Sequence, residues 1–360
     1  MNITRRIYVS LPADRWLPKG MNDLKWAIVD EIENLGYTPE IFTNPRGKPG
    51  LASSRAWGAR DADEVARRCM GAAIIGMARW NFQDSTGQDA RLPTEFNHYE
   101  GALARTLGLP TLVLVQQNVM WRVVFDPTFG GFVGEIPVPT DPDISPTNPP
   151  KVGETAATAD PTIAPMSPPN VGETPATADP KIPSTNPPNV GEIPAMADPS
   201  WLKTKQFRVP FGYWRMQLYA RRDVFLGYCS SSRATAAGLK NFLQSTGVTV
   251  LDWQTDFIAG RSILAQIEEA ASRCNAGIFL FTKDDDLVDK GQPDISAPRD
   301  NVVFEAGYFI GLKGKRNVLI VREKGSKMPA DLGGDIYALL PDKVDIGPIE
   351  RVVSGFVAAL

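Results

Sequence analysis

Glu305 stands inside an otherwise apolar run, Asn301-Val302-Val303-Phe304-Glu305-Ala306-Gly307-Tyr308. A carboxylate with apolar neighbours is costly unless it has a partner or a task. Ala306 and Gly307, beside it on the chain, are small enough to let a ligand come close. Placed at the mouth of a sheet, such a carboxylate can hold the hydroxyls of a ribose. It can also offset the positive charge that builds at an anomeric carbon as a glycosidic bond breaks, the electrostatics that glycosidases use. The competing role is structural, with Glu305 paired to Arg299 or to a backbone N–H at a helix start.

Four chain segments carry further chemistry-bearing side chains. Ser230, Ser231 and Ser232 precede a helical pattern and suit either a phosphate or ribose approached by backbone N–H groups, or an ordinary helix cap. Trp253 follows an apolar strand, where an indole stacks on a planar heterocycle or closes the edge of a core, and the loop runs on from Asp256 to Arg261. The connection from Thr282 to Pro298 opens on Lys283-Asp284-Asp285-Asp286 and is long for a compact domain, as lids and interaction surfaces are; a solvated charge run is the simpler account of its aspartates. Arg299, Asp300 and Asn301 then lead directly into the Glu305 run.

Composition removes other chemistries. The single histidine, His98, rules out a multi-histidine metal site, and a histidine-dependent triad would have to be built around that residue alone. Cys69, Cys229 and Cys274 lie far apart with no C-x-x-C pair, which fits a reducing compartment. A formal net charge of -3 supplies no general basic field for a nucleic-acid backbone. No apolar run has the length of a membrane span, and the N-terminus lacks the apolar core of a secretory signal, so a cytoplasmic protein is expected.

The elements that must position these residues repeat one plan twice. Before the middle of the chain, Arg6–Ser10, Ala72–Met77 and Thr111–Val115 read as strands, with Asp23–Leu35 and Glu95–Leu107 as amphipathic helices. After it, Val224–Tyr228, Val248–Leu251, Gly277–Phe281 and Asn317–Val321 read as strands, alternating with helices over Ala234–Ser245, Ser262–Cys274 and Val303–Gly311. Strands that alternate with helices imply parallel sheets covered on both faces. The fold class is therefore α/β, with two flavodoxin- or Rossmann-like parallel-sheet domains.

Between the halves, residues 137–200 contain a nineteen-residue unit whose copies read NPPKVGETAATADP, SPPNVGETPATADP and NPPNVGEIPAMADP. This stretch holds two lysines against eight acids and few large apolar side chains. Prolines remove hydrogen-bond donors, and the sparse apolar area does not offset ordering entropy, so it is expected to be a disordered, Pro-rich linker. A partner-binding tether is the other use of such a repeat. Residues 201–222, rich in aromatic and basic side chains, are expected to form a connecting helix packed on one of the two domains. The expected organisation is a domain over 1–136, the linker, that helix, and a second domain over 223–360.

Taken together, DVFLGYCSSS from Asp223, LDWQ from Leu251, AGIFLFTKDDD from Ala276, APRDNVVFEAGYFIGLKGKRNVLIV from Ala297 and MPADLGG from Met328 resemble the TIR-like domain of bacterial cyclic-nucleotide defence effectors. That domain is found in CBASS and Pycsar effectors, including fusions of TIR with STING. The resemblance covers Asp223 to Leu360. It implies a flavodoxin-like TIR fold and NAD+ as a substrate, with no bound cofactor. Nicotinamide would be released, leaving an ADP-ribose product. It assigns the catalytic carboxylate to Glu305, places Arg299, Asp300 and Asn301 in the neighbouring block, and matches Trp253 to the aromatic residue after the second strand. Ser230, Ser231, Ser232 and Asp284 complete the expected substrate-binding set. Self-association into a homo-oligomer is implied as the activating step. TIR domains that are not enzymes leave open a signalling or adaptor protein with two nucleotide-binding modules.

In the first half, Glu95-Phe96-Asn97-His98-Tyr99-Glu100-Gly101-Ala102-Leu103-Ala104, followed by Leu107-Gly108-Leu109-Pro110 and a strand, resembles an element shared by TIR-like and nucleoside deoxyribosyltransferase-like domains. Glu100 stands there where Glu305 stands in the second half, and His98 lies beside it. Two roles are open: a regulator that binds a nucleotide or a protein activator, or a second glycosidic-bond enzyme. The regulator is favoured, because a flexible tether to an effector domain suits a sensor that gathers copies.

Overall fold

Buried β-branched and aliphatic runs form two all-parallel sheets in the computed structural model, which describes residues 3–48, 50–83, 87, 89–117, 119–120, 124, 190–193, 198–287, 295–329, 332 and 337–360. The first half contributes β1 (Arg6–Ser10), α1 (Lys19–Asn34), β2 (Thr38–Glu40), α2 (Ala59–Ala66), β3 (Gly71–Gly76), the hairpin arms β4 (Trp80–Gln83) and β5 (Asp89–Leu92), α3 (Glu95–Thr106) and β6 (Thr111–Gln116). Then come β7 (Val190–Ile193) and α4 (Lys205–Tyr219). The order across the sheet is β2-β1-β3-β6-β7, every pair parallel.

The second half runs β8 (Arg222–Gly227), α5 (Arg233–Ser245), β9 (Val250–Asp252), the short α6 (Trp253–Asp256), α7 (Ile263–Arg273), β10 (Cys274–Phe281), β11 (Asp285–Leu287), β12 (Ile295–Ala297), α8 (Asp300–Lys313), β13 (Val318–Glu323), β14 (Tyr337–Leu340) and α9 (Gly347–Ala359). Its sheet is ordered β14-β13-β10-β8-β9, again parallel throughout. Counted within each sheet, both read 2-1-3-4-5, the flavodoxin-like order. The central strands β3 and β10 are buried along their whole length, as continuous apolar runs in doubly covered sheets must be.

Alternation along each central strand sends side chains into two separate cores. In β8, Val224 and Leu226 pack under α5 and α9, while Phe225 faces α7 and α8 and stacks on Phe309 with ring centroids 5.0 Å apart. In β1, Ile7 and Val9 face α1 and α4, and Tyr8 faces α2 and α3.

The segment after the repeats belongs to the first sheet. Phe207, Phe211, Trp214 and Leu218 of α4 are buried in the same core as Ile7, Ile28 and Leu114. Trp214 Nε1 donates to the Pro110 carbonyl at 3.0 Å. A β-carbon on Gly71 would stand 2.5 Å from Leu218 Cδ2 and 3.0 Å from the Pro110 carbonyl, so α4 packs closely over β3 at this glycine.

This corrects the expected domain boundaries in two ways. The expected linker over 137–200 contains β7 and the start of a 3-10 turn over Pro199–Lys203, whose Trp201 and Leu202, at the start of the expected connecting helix, are buried; residues 137–189 and 194–197 of the linker lie outside the described residues. The first two copies read VGET and the third reads VGEI, with Ile193 fully buried beside β6. Moreover, the expected first domain over 1–136 is not closed before the repeats, because the last strand of its sheet, β7, comes from their third copy and α4, which follows them, packs on it. Polar contacts also join the two sheets. Asp223, fully buried, accepts from Arg5 Nε at 3.1 Å and Nη2 at 2.8 Å, and Arg221 donates to the carbonyls of Gly108 and Ser272 at 3.3 and 2.7 Å.

Candidate functional site

Glu305 lies in the second turn of α8, the helix that follows the third strand of its sheet, and is 6% exposed. Its side chain reaches the carboxyl end of β8, where Gly227 leaves the space that its Oε2 occupies. Among the described residues Oε2 has no hydrogen-bond partner. Burial alone pushes the carboxyl up to about 7. The structural alternative of an ion pair with Arg299 is not what is seen: Arg299 pairs with Asp285 at 3.2 Å.

A cavity of about 740 Å³ opens beside this carboxylate. Ser230, Trp253, Asn301 and Glu305 of the expected set line it, together with Arg233 and residues 254–255 and 257–261. Its place beyond the carboxyl ends of β8 and β9 is where ligands bind in open α/β sheets. Trp253 closes the core edge and also borders the cavity. Its Nε1 donates to the Tyr228 carbonyl at 2.9 Å and its ring packs 5.6 Å from that of Tyr228, while its remaining surface faces the cavity.

Other expected residues are used elsewhere. Ser231 donates to Asp284 at 2.6 Å, Ser232 Oγ and Thr282 Oγ1 are 2.6 Å apart, and Thr282 Oγ1 donates to Asp284 at 2.9 Å. Lys343 reaches the same carboxylate at 3.4 Å. Asp284 is thus neither a solvated charge nor a cavity wall; its side chain is fully buried and fastens the first, third and last loops together. Arg299 and Asp300 are exposed at the start of α8 and do not line the cavity. The described arms of the long 282–298 connection pair antiparallel as β11 and β12.

Two cavity residues carry weaker sequence signals. Gln266 interrupts the apolar face of α7 and is buried, accepting from the Ile258 N–H and donating to the Ile258 carbonyl at 3.2 Å. It thereby pins the rim. Arg233, the first residue of α5, is exposed and gives no pattern beyond its charge.

In the first sheet, Glu100 of α3 is 5% exposed and accepts from Tyr8 Oη at 2.7 Å and Trp57 Nε1 at 2.8 Å. Burial raises its pKa, against the hydrogen bonds from Ser10, Tyr8 and Trp57. It lines a second cavity; His98, half-buried on the same helix, does not.

Residues 223–341 match the family model described as the CAP12/Pycsar effector protein, TIR domain. This segment is a TIR domain. Its relatives include CD-NTase-associated protein 12 of Sphingobacterium faecium, 30% identical over 114 residues that cover 32% of this chain and 35% of that protein. CD-NTase-associated protein 12 of Flavobacterium daejeonense is 39% identical over 83 residues, 23% of this chain and 26% of that one. The Pycsar effector protein PaPycTIR of Pseudomonas aeruginosa is 31% identical over 131 residues, 33% and 42% of the two chains. The match spans between about a quarter and two fifths of these relatives' length. The family match begins at Asp223, the residue that anchors the TIR domain to Arg5, and contains both Glu305 and the whole lining of its cavity. Among the described residues no helix is long and apolar enough to cross a membrane.

Proposed function

We propose that this protein is an NAD+ glycohydrolase effector in bacterial anti-phage defence, with Glu305 as its catalytic carboxylate. The observation that carries the proposal is a buried carboxylate without a partner among the described residues, at the wall of a cavity that begins at the strand ends of a TIR domain. The adenine or nicotinamide ring of NAD+ stacks on Trp253, and Asn301 and Ser230 offer hydrogen bonds to ribose or phosphate oxygens. The bond from C1′ of the ribose to the pyridinium nitrogen breaks with its electron pair going to nitrogen, which neutralises the departing nicotinamide. The ionised Glu305 offsets the charge left on the ribose. Water then adds to C1′ and loses a proton, giving ADP-ribose, nicotinamide and H+.

Self-association is the proposed switch. Ile258 and Ile263 line the cavity mouth at 59% and 65% exposure, and Leu264 is exposed next to them. An apolar rim of this kind is a surface for a second copy. The CD-NTase-associated and Pycsar names of the relatives support a nucleotide signal as the upstream trigger. Nicotinamide release, measured with dilute and with crowded protein for wild type and Glu305→Gln, tests the proposal. Turnover that appears on crowding and disappears in the variant supports it. Equal turnover in both proteins removes Glu305 from the chemistry, and none under any condition leaves a non-enzymatic adaptor.

A further inference from the structure

The first sheet carries its own cavity, of about 500 Å³, at the corresponding place. Chain order sends β2 to one side of β1 and β3 to the other, so the crevice outside β1 and β3 is the switch point at which such sheets take ligands. Residues just past β1, β2 and β3 (Leu11, Phe42 and Arg79) form its walls, and Glu100 lies at its inner end.

Its lining has three kinds of group. Trp16, Trp26 and Trp57 present indole surface, which suits a flat heterocycle. Glu100 is held rigid, since Tyr8 and Trp57 both donate to Oε1 and Ser10 also hydrogen-bonds to the carboxylate, whose four lone pairs still leave capacity for a further donor. Arg15 and Arg79 lie 4.8 and 5.2 Å above the Trp16 ring and line the opening. Arg79 Nη1 pairs with Glu95 at 3.3 Å, while its Nε is buried without a hydrogen-bond partner among the described residues. That is the state expected of a donor awaiting an acceptor. The two guanidiniums disfavour a quaternary ammonium in this aromatic cage. The acidic Asp14, also in the wall, is already taken up by Lys25 and Trp26 Nε1. Positive charge at the mouth, aromatic walls and a carboxylate at the inner end together fit an anion, a base and a sugar.

We propose that this cavity binds a nucleoside monophosphate, with the base against the indoles, the ribose hydroxyls donating to Glu100 and the phosphate accepting from Arg15 and Arg79. Its volume lies within the range of small-ligand sites. The assignment does not depend on whether Glu305 cleaves NAD+.

Calorimetric titration of the full chain with AMP, GMP, CMP and UMP, and with the four parent nucleosides, tests it. The expected result is saturable binding of at least one nucleotide, weakened tenfold or more by Glu100→Gln. Arg79→Ala is expected to weaken the nucleotide while leaving its nucleoside nearly unchanged. Trp253→Ala, in the other cavity, is expected to leave binding intact. Thermal unfolding shows which variants are folded, and Arg79→Ala, altering a half-buried side chain outside the core, keeps the test open should Glu100→Gln not fold. Absence of binding by all eight compounds overturns the proposal. So does binding that survives Glu100→Gln and Arg79→Ala in folded protein, or that is lost only with Trp253→Ala.

Discussion

Gly227 faces Glu305 so closely that a β-carbon on it would stand 2.9 Å from Oε2, and 2.4 Å from the ring of Phe279. The carboxylate owes its position to a missing side chain on the neighbouring strand. Gly227→Ala is expected to push both groups aside, costing about 1–3 kcal/mol in urea unfolding. It is also expected to lower nicotinamide release more than it lowers stability. A fully active variant would show that the carboxylate need not sit there.

Glu305→Gln keeps the shape of the side chain and removes its charge. Loss of a preorganised charge at the reacting centre costs about 10²–10³-fold in rate, read by nicotinamide release. Stability should move in the other direction. With a folded pKa of about 7 against an ordinary 4.5, the native state holds the proton more tightly than the unfolded chain. Stability is therefore highest below pH 4.5 with respect to this group, falls as pH rises to about 7 and is level above it. The glutamine variant lacks that fall and should melt at or above the wild-type temperature at pH 8.

The same ionisation sets the rate profile. Charge stabilisation needs the carboxylate, so kcat/KM for NAD+ should rise through pH 7 and level off above it. A rate already flat between pH 5 and 8 would mean that another group limits the reaction or that Glu305 is ionised much earlier.

Ile193→Thr restores the reading of the other two repeats and places a hydroxyl where the side chain is fully buried. A destabilisation of about 1–3 kcal/mol is expected, measurable by denaturant unfolding. The matching change Thr174→Ile, in the copy that does not form β7, should leave the midpoint unmoved.

Strong periodicity and long apolar runs made the central elements legible: β1, β3, β6, β8, β10 and β13 fall within a few residues of the strands read from sequence. The edge strand β2 was not, because its Thr38-Pro39-Glu40 breaks strand chemistry and is tolerated at an edge. β7 was hidden by its repeat, whose Pro-rich, apolar-poor composition argues against a strand although Ile193 is fully buried. At the site, Glu305, Trp253 and Asn301 were visible as residue types out of place or next to strand ends. Asp284 misled, since a run of aspartates looks solvated until Ser231, Thr282 and Lys343 are seen to converge on it. Gln266 and Arg233 could not be assigned without knowing which faces meet.

β6 precedes the repeats and β7 lies in their third copy, so chain from both sides of residues 137–189 pairs within one sheet, on which α4 also packs. Ring-closure entropy rises only slowly with length, about 0.6 kcal/mol per doubling. Copies of the unit can therefore be gained or lost in descent with little thermodynamic consequence, and without altering how far Glu100 is from Glu305. A proteolytic nick within it would yield two fragments that remain docked, so the protein should survive as a split pair in which neither polypeptide alone carries a complete first sheet.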